Sequence, residues 1–135
     1  MSLPISMGRF ATVWLIMAVA MSANGVTREL VFKRSMNAAN ADVLSAILGV
    51  ALIALITSVG FRAIDNAPLG DLFALSAALV VATVLFETAL GRFVDHKSWG
   101  ELAAHYDLSR GELWPLVLCW LAMTPFVWVR WVRRG

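Results

Sequence analysis

Four apolar runs, each closed at both ends by charged residues, decide what this chain can fold into. They cover residues 10–27, between Arg9 and Arg28; 43–61, between Asp42 and Arg62; 72–91, between Asp71 and Arg92; and 113–129, between Glu112 and Arg130. Each comes close to the roughly 20 mostly apolar residues that an α-helix needs to cross the hydrocarbon core of a bilayer. The chain is 60% apolar and 15% charged, against about 45–50% and about 25% in a soluble domain. One small water-soluble core cannot hide that much apolar surface, whereas a bilayer accepts it on the outer faces of the helices. Alternating apolar and polar residues, the mark of a membrane barrel, are absent. The expected fold is therefore all-α: a four-helix transmembrane bundle forming a single integral domain over residues 1–135.

The connections fit these limits. Asp65, Asn66, Pro68 and Gly70 make a turn cluster between the second and third runs. Ser98 and Glu101 have capping-box spacing. They predict a short interfacial helix between helices 3 and 4, through Trp99, Leu102, Ala103 and Tyr106. Ser109 and Glu112 repeat the spacing and could start the fourth helix. Pro115 falls in that helix's first turns, where a missing N–H matters little, whereas Pro125 lies deeper and kinks the helix unless a neighbour compensates. Trp14, Trp99, Trp114, Trp128 and Trp131 all fall near expected interfaces, where indole rings concentrate. Trp120 is mid-span and belongs inside the bundle. Ser45 with Gly49, and Ala74 with Ala78 and Ala82, are small-residue spacings suited to close helix contacts.

Orientation is weakly encoded. Arg9, Arg62, Arg130, Arg133 and Arg134 fall on one side, and Arg28, Lys33, Arg34, Arg92, Lys97 and Arg110 on the other. The terminal arginine cluster favours both termini on the cytoplasmic side of a bacterial inner membrane. The near balance also allows insertion both ways, and with it an antiparallel homo-oligomer. A rival reading takes Arg9, the following apolar run and Ala18-Val19-Ala20 as a cleavable signal peptide. Against it, the apolar run continues past that point to Asn24.

The most informative residues are charges close to one membrane face. Glu87 lies about 24 Å along its helix from Asp71 at 1.5 Å per residue, inside the hydrocarbon slab but near its far boundary. Thr83, Glu87 and Gly91 share a face by their spacing of four, as do Asn24 and Arg28. Helix 1 ends on the side where helix 3 ends. Asn24, Arg28 and Glu29 therefore lie at the depth of Glu87 and Arg92, under a covering loop that carries Trp99, Tyr106 and Asp107. A lone charge in a bilayer costs roughly 2.5–3.5 kcal/mol on insertion scales, so partners are expected: Arg28 with Glu87 first, Glu29 with Arg92 second.

Other chemistry is weaker. His96, Glu101 and His105 do not have a recognised zinc spacing, and no metal or cofactor is expected. Ser45, Ser76 and Cys119 sit in no nucleophile motif, and no glycine-rich phosphate loop is present. With a net charge of +2 and no basic run, nucleic acid is not an expected partner; the lipid bilayer is.

Asn24-Gly25 followed by Arg28-Glu29, then Phe86-Glu87 with Gly91, then Trp99, Tyr106-Asp107-Leu108, Gly111 and Leu113-Trp114-Pro115, together resemble the pattern of a group of short, uncharacterised four-helix bacterial integral membrane proteins. The likeness runs from the first span to the fourth. It implies the same architecture and singles out the same charged group, and it implies no activity. Glu112 stands where that pattern has a basic residue. Small multidrug exporters match in size and span number, but their essential glutamate is on the first helix.

Two functions follow as expectations. The leading one is a structural or accessory membrane protein, not an enzyme, fastened by an Arg28–Glu87 network. The alternative is a small oligomeric transporter or channel in which Glu87 binds a proton or cation.

Overall fold

The computed structural model describes residues 3–62, 64 and 67–134, the last four by their backbone. Asp65 and Asn66 of the expected turn, and the side chains of Trp131, Arg133 and Arg134, lie outside the described residues. The described residues are mostly helical and form no strand. The helices are α1 (Met7–Thr27), α2 (Ala38–Gly60), α3 (Leu69–Ala89), the short α4 (Trp99–Ala104) and α5 (Trp114–Arg134).

Three stretches are long and apolar enough to cross a membrane: Met7–Ser35, Ala38–Gly60 and Leu69–Val94. The apolar part of α5, Trp114–Arg130, is shorter. The outward faces carry apolar side chains such as Val19 (69% exposed), Leu55 (63%) and Leu85 (65%). An aqueous protein would hide such a surface and a lipid-embedded one presents it.

Two helix ends differ from expectation. The charges from Arg28 to Arg34 do not stop α1, which runs on through a π-helical turn, Arg28–Phe32, to Ser35. Glu29 and Lys33 pair one turn apart at 2.9 Å, so the charges brace the helix instead of breaking it. Likewise α3 runs on through a second π-helical turn, Leu90–Val94. It ends where His96 takes a left-handed conformation (φ 55°) and Lys97 N–H donates to the Gly91 carbonyl at 2.7 Å, a common way to satisfy the last carbonyls.

The helices pack α1 on α2, α2 on α5 and α5 on α3. Val13 and Met17, Ile53, Leu75 and Leu79, and Leu121 meet in the shared core. The Ser45 and Gly49 spacing does make a close contact. Asn24 Nδ2 donates to the Ser45 carbonyl at 2.9 Å and Ser45 Oγ to Asn24 Oδ1 at 3.3 Å. A Cβ on Gly49 would meet Met21 Cε at 3.0 Å. On α3 the core-facing row is Leu72, Leu75, Ser76 and Leu79, and the alanine row lies half-buried beside it.

Pro125 is buried within α5 and has no N–H for the Leu121 carbonyl four residues back. Thr124 Oγ1 donates to that carbonyl instead, at 2.8 Å. The next carbonyl, Ala122, accepts Ser76 Oγ from α3 at 2.7 Å. Neighbours thus satisfy the backbone around the proline, and one of them fastens two helices together. Trp14 and Trp128 also do more than mark an interface. Trp14 Nε1 donates to Thr83 Oγ1 at 3.2 Å, joining α1 to α3, and Trp128 Nε1 to Thr57 Oγ1 at 2.9 Å, joining α5 to α2. Trp120, expected inside, donates to the Val50 carbonyl at 3.1 Å.

Gly60 lies under Val13, where an added Cβ would come within 2.5 Å of Cγ2. Gly60→Ala is expected to destabilise the bundle by about 1–3 kcal/mol through overpacking, and Ser76→Ala by about 1 kcal/mol. Reversible unfolding by denaturing detergent in mixed micelles measures both. Wild-type stability of the Gly60→Ala protein would contradict the α1–α2 contact.

Candidate functional site

The ends of α1 and α3 and the starts of α2 and α5 surround a cavity of about 880 Å³, with α4 and the turn after it along one wall. Sequence alone places Asn24, Arg28, Glu29 and Glu87 at this depth, and all four line the cavity, as does Tyr106 from the covering segment. Arg92, Trp99 and Asp107 do not.

The expected ion pairs do not form. Arg28 Nε faces Glu29 at 3.6 Å and Asp42 at 4.0 Å, and Glu29 takes its shorter contact from Lys33. Arg28 belongs to the π-helical turn, whose extra residue per turn redirects the side chains after Asn24 away from the α-helical face. Asp42 was legible from connectivity, because α2 begins where α1 ends. Asn24 holds no charge in place; it is buried and clamps α1 to Ser45.

Arg92 points away from Glu29. Its Nη1 donates to the Lys97 carbonyl at 3.0 Å and its guanidinium lies 4.7 Å from the centre of the Trp99 ring. The pair ties the end of α3 to the start of α4. The capping box at that start is complete, with Ser98 Oγ accepting Glu101 N–H and Glu101 Oε1 accepting Ser98 N–H. Leu102 of α4 rests on Gly91, where no Cβ would fit. Asp107 works within its own turn, accepting from Ser109 N–H at 3.0 Å and pairing with Arg110 at 3.5 Å. Ser109 does not start the fourth helix. It sits in a 3₁₀ turn that ends at Gly111 (φ 84°), a left-handed position suited to glycine, and α5 begins at Trp114.

Glu87 is left over. Among the described residues its carboxylate makes no hydrogen bond or ion pair. Two donors on the same cavity lining also make no hydrogen bond: Trp114 Nε1, which has no partner at all, and Arg28 Nε, which has only the longer ion-pair contacts to Glu29 and Asp42. The interhelical indoles of Trp14, Trp120 and Trp128 all have one, which sets Trp114 apart. Sequence reasoning missed Trp114, Asp42 and Lys97 as cavity residues, and it considered His105 only as a metal ligand.

Below the cavity a narrow apolar void runs between Trp14, Phe86 and Leu121. The edge-to-face contact of Trp14 and Phe86 (5.3 Å) closes that level, and beneath it Ile53, Leu75 and Leu79 are fully buried. The cavity is therefore a blind pocket at one end of the bundle. Among the described residues no group of three His, Cys, Asp or Glu side chains is arranged to hold a metal ion.

His105 stacks on Trp114 (5.8 Å between centroids) and meets Glu112 at 3.3 Å. Burial pushes its pKa below the ordinary 6.5, opposed by the Glu112 carboxylate and aided by the positive charges of Lys97 and Arg28. A neutral imidazole donating to Glu112 fits this setting. No protein-family model, curated protein or solved structure matches the chain, so the chemistry of the pocket has to be argued from its own side chains.

Because the folded imidazole resists protonation more than the unfolded one, acid favours the unfolded chain. The stability contributed by His105 is present above pH 6.5 and lost as the pH falls from there through the folded value. His105→Asn is expected to flatten this part of the stability–pH profile below 6.5. An unchanged slope would show that His105 is as easily protonated folded as unfolded.

Proposed function

We propose that the protein is a four-span integral protein of the bacterial inner membrane that binds a small polar solute or headgroup in the pocket around Glu87. In this reading α5 is the fourth span and both termini are cytoplasmic. The pocket then opens towards the periplasmic face. The observation that carries it is Glu87, a carboxylate near the membrane boundary, unpaired, beside an 880 Å³ cavity. An unpaired ionisable group at such a depth is costly and marks a functional site more often than a structural one.

The fastening role weighed in the sequence is less well supported. Its two ion pairs are absent among the described residues, and α1 is joined to α3 by Trp14 instead. A continuous pore has no support either, given the packed residues below the void. What remains is a pocket that holds its contents at one face.

The test is thiol labelling. In a Cys119→Ser background, Glu87→Cys is expected to react with a membrane-impermeant methanethiosulfonate applied from the periplasmic side. No reaction from either side would sink the pocket. Reaction from both sides, in separate fractions of the protein, would instead show dual insertion. A second measurement separates binding from fastening. Glu87→Gln is expected to move the thermal midpoint by less than about 3 °C, a change below roughly 1 kcal/mol. A large loss of folded yield, restored by adding Arg28→Gln, would bring back the structural role.

A further inference from the structure

We infer that the pocket receives the head of a zwitterionic aminophosphate, its primary ammonium at Glu87 and its phosphate at Arg28 and Trp114. This rests on the reading of the cavity as a binding pocket and names what it binds.

The unmet groups come in both polarities. Glu87 is an acceptor without a donor. Trp114 Nε1 is a buried donor without an acceptor, Arg28 Nε is buried with two carboxylates at 3.6 and 4.0 Å but no hydrogen bond, and both residues line the same cavity as Glu87. Buried polar groups are almost always satisfied by protein, water or ligand, and unmet ones are expensive. A simple cation would answer Glu87 and leave Trp114 Nε1 unmet and Arg28 Nε without a hydrogen bond. A simple anion would answer the donors and meet a lining of six carboxylates against the two fixed cations Arg28 and Lys97. A head that carries an ammonium and a phosphate answers both. The surplus of carboxylates makes the ammonium the more strongly held end. Tyr106 and Trp114 also line the cavity, and aromatic rings suit a cation.

The position of the pocket suggests that the head arrives on a lipid. It lies where the helices end, the depth at which headgroups sit. Val26 and Leu30 on one side and Val94 on the other line the cavity yet are 56%, 55% and 64% exposed. Apolar side chains that face both the pocket and the surroundings form lips that acyl chains can pass. The void beneath is too narrow for a long chain, with about 20 Å³ of free space, so tails leave sideways between α1 and α3. Both lips carry a π-helical turn, Arg28–Phe32 and Leu90–Val94, a distortion that recurs at functional sites.

The experiment uses the full chain in nanodiscs of equal parts phosphatidylethanolamine, phosphatidylcholine and phosphatidylglycerol, with retained lipid identified by native mass spectrometry. A parallel arm titrates soluble phosphoethanolamine and reads the thermal midpoint. The expected result is retention of phosphatidylethanolamine about fivefold over phosphatidylglycerol. Glu87→Gln should abolish that preference, a fall of about fivefold to equal retention, as expected for loss of a charge-assisted contact. Trp114→Phe keeps a ring on His105 and deletes only the N–H to the shared phosphate, and should lower retention of phosphatidylethanolamine and the stabilisation by phosphoethanolamine about three- to fivefold. Saturable stabilisation by phosphoethanolamine without lipid enrichment supports the same head chemistry from a soluble source. Preference for phosphatidylglycerol, or equal retention of all three lipids with no response to phosphoethanolamine, overturns the inference. If the Glu87→Cys protein is still labelled from the periplasmic side in that case, the pocket stands and only its occupant was misassigned. If it is not labelled, both fall together.

Discussion

Hydrocarbon offers no hydrogen bonds, and the bundle is arranged around that constraint. Polar groups placed between the helices have to find partners within the protein, and where the partner is on another helix the bond also fixes a helix position. Asn24 and Ser45 set α1 against α2, Ser76 sets α3 against the broken backbone of α5, and three indole N–H groups set the remaining contacts. Interhelical bonds of this kind contribute modestly one by one, about 0.6 kcal/mol on average. Their larger effect is to leave few alternative registers. Once those registers are fixed, the ends of the helices cannot close over the space between Arg28, Glu87 and Trp114, and a pocket results.

Much of this was legible in the sequence where the signal is local. The apolar runs announce their helices because a spanning segment must be nearly continuous, and the Ser98–Glu101 box announces α4 because both bonds lie within four residues. Pro115 and Pro125 could be placed for the same reason. The small pair Ser45 and Gly49 was legible as a contact, though not its partner.

The misses share a physical origin. Arg28 was assigned to Glu87 by treating α1 as a regular helix, and the π-helical turn that begins at Arg28 breaks that assumption. Such a turn has no sequence signature. Trp14 and Trp128 read as interface residues because tryptophan is common there. Their roles depend on a threonine presented by another helix at the right height, which only the assembled bundle reveals. Glu112 looked out of place, and its partner His105 is brought to it by the left-handed turn at Gly111. The charged group was found at the right depth, but its pairing was decided by distant parts of the chain.

The way α4 is seated determines how easily that segment can lift from the cavity wall. Leu102 rests on a bare glycine, and Arg92 stacks on the exposed ring of Trp99. Among the described residues no backbone hydrogen bond runs from α4 to α3 or α5. Lifting the segment therefore breaks side-chain contacts and leaves the spanning helices intact. Such openings take on the order of microseconds to seconds, far faster than unfolding the bundle, and the α4 amides would exchange hydrogen well before those of α2. The wall that α4 gives the cavity can therefore move without any rearrangement of the membrane-embedded core.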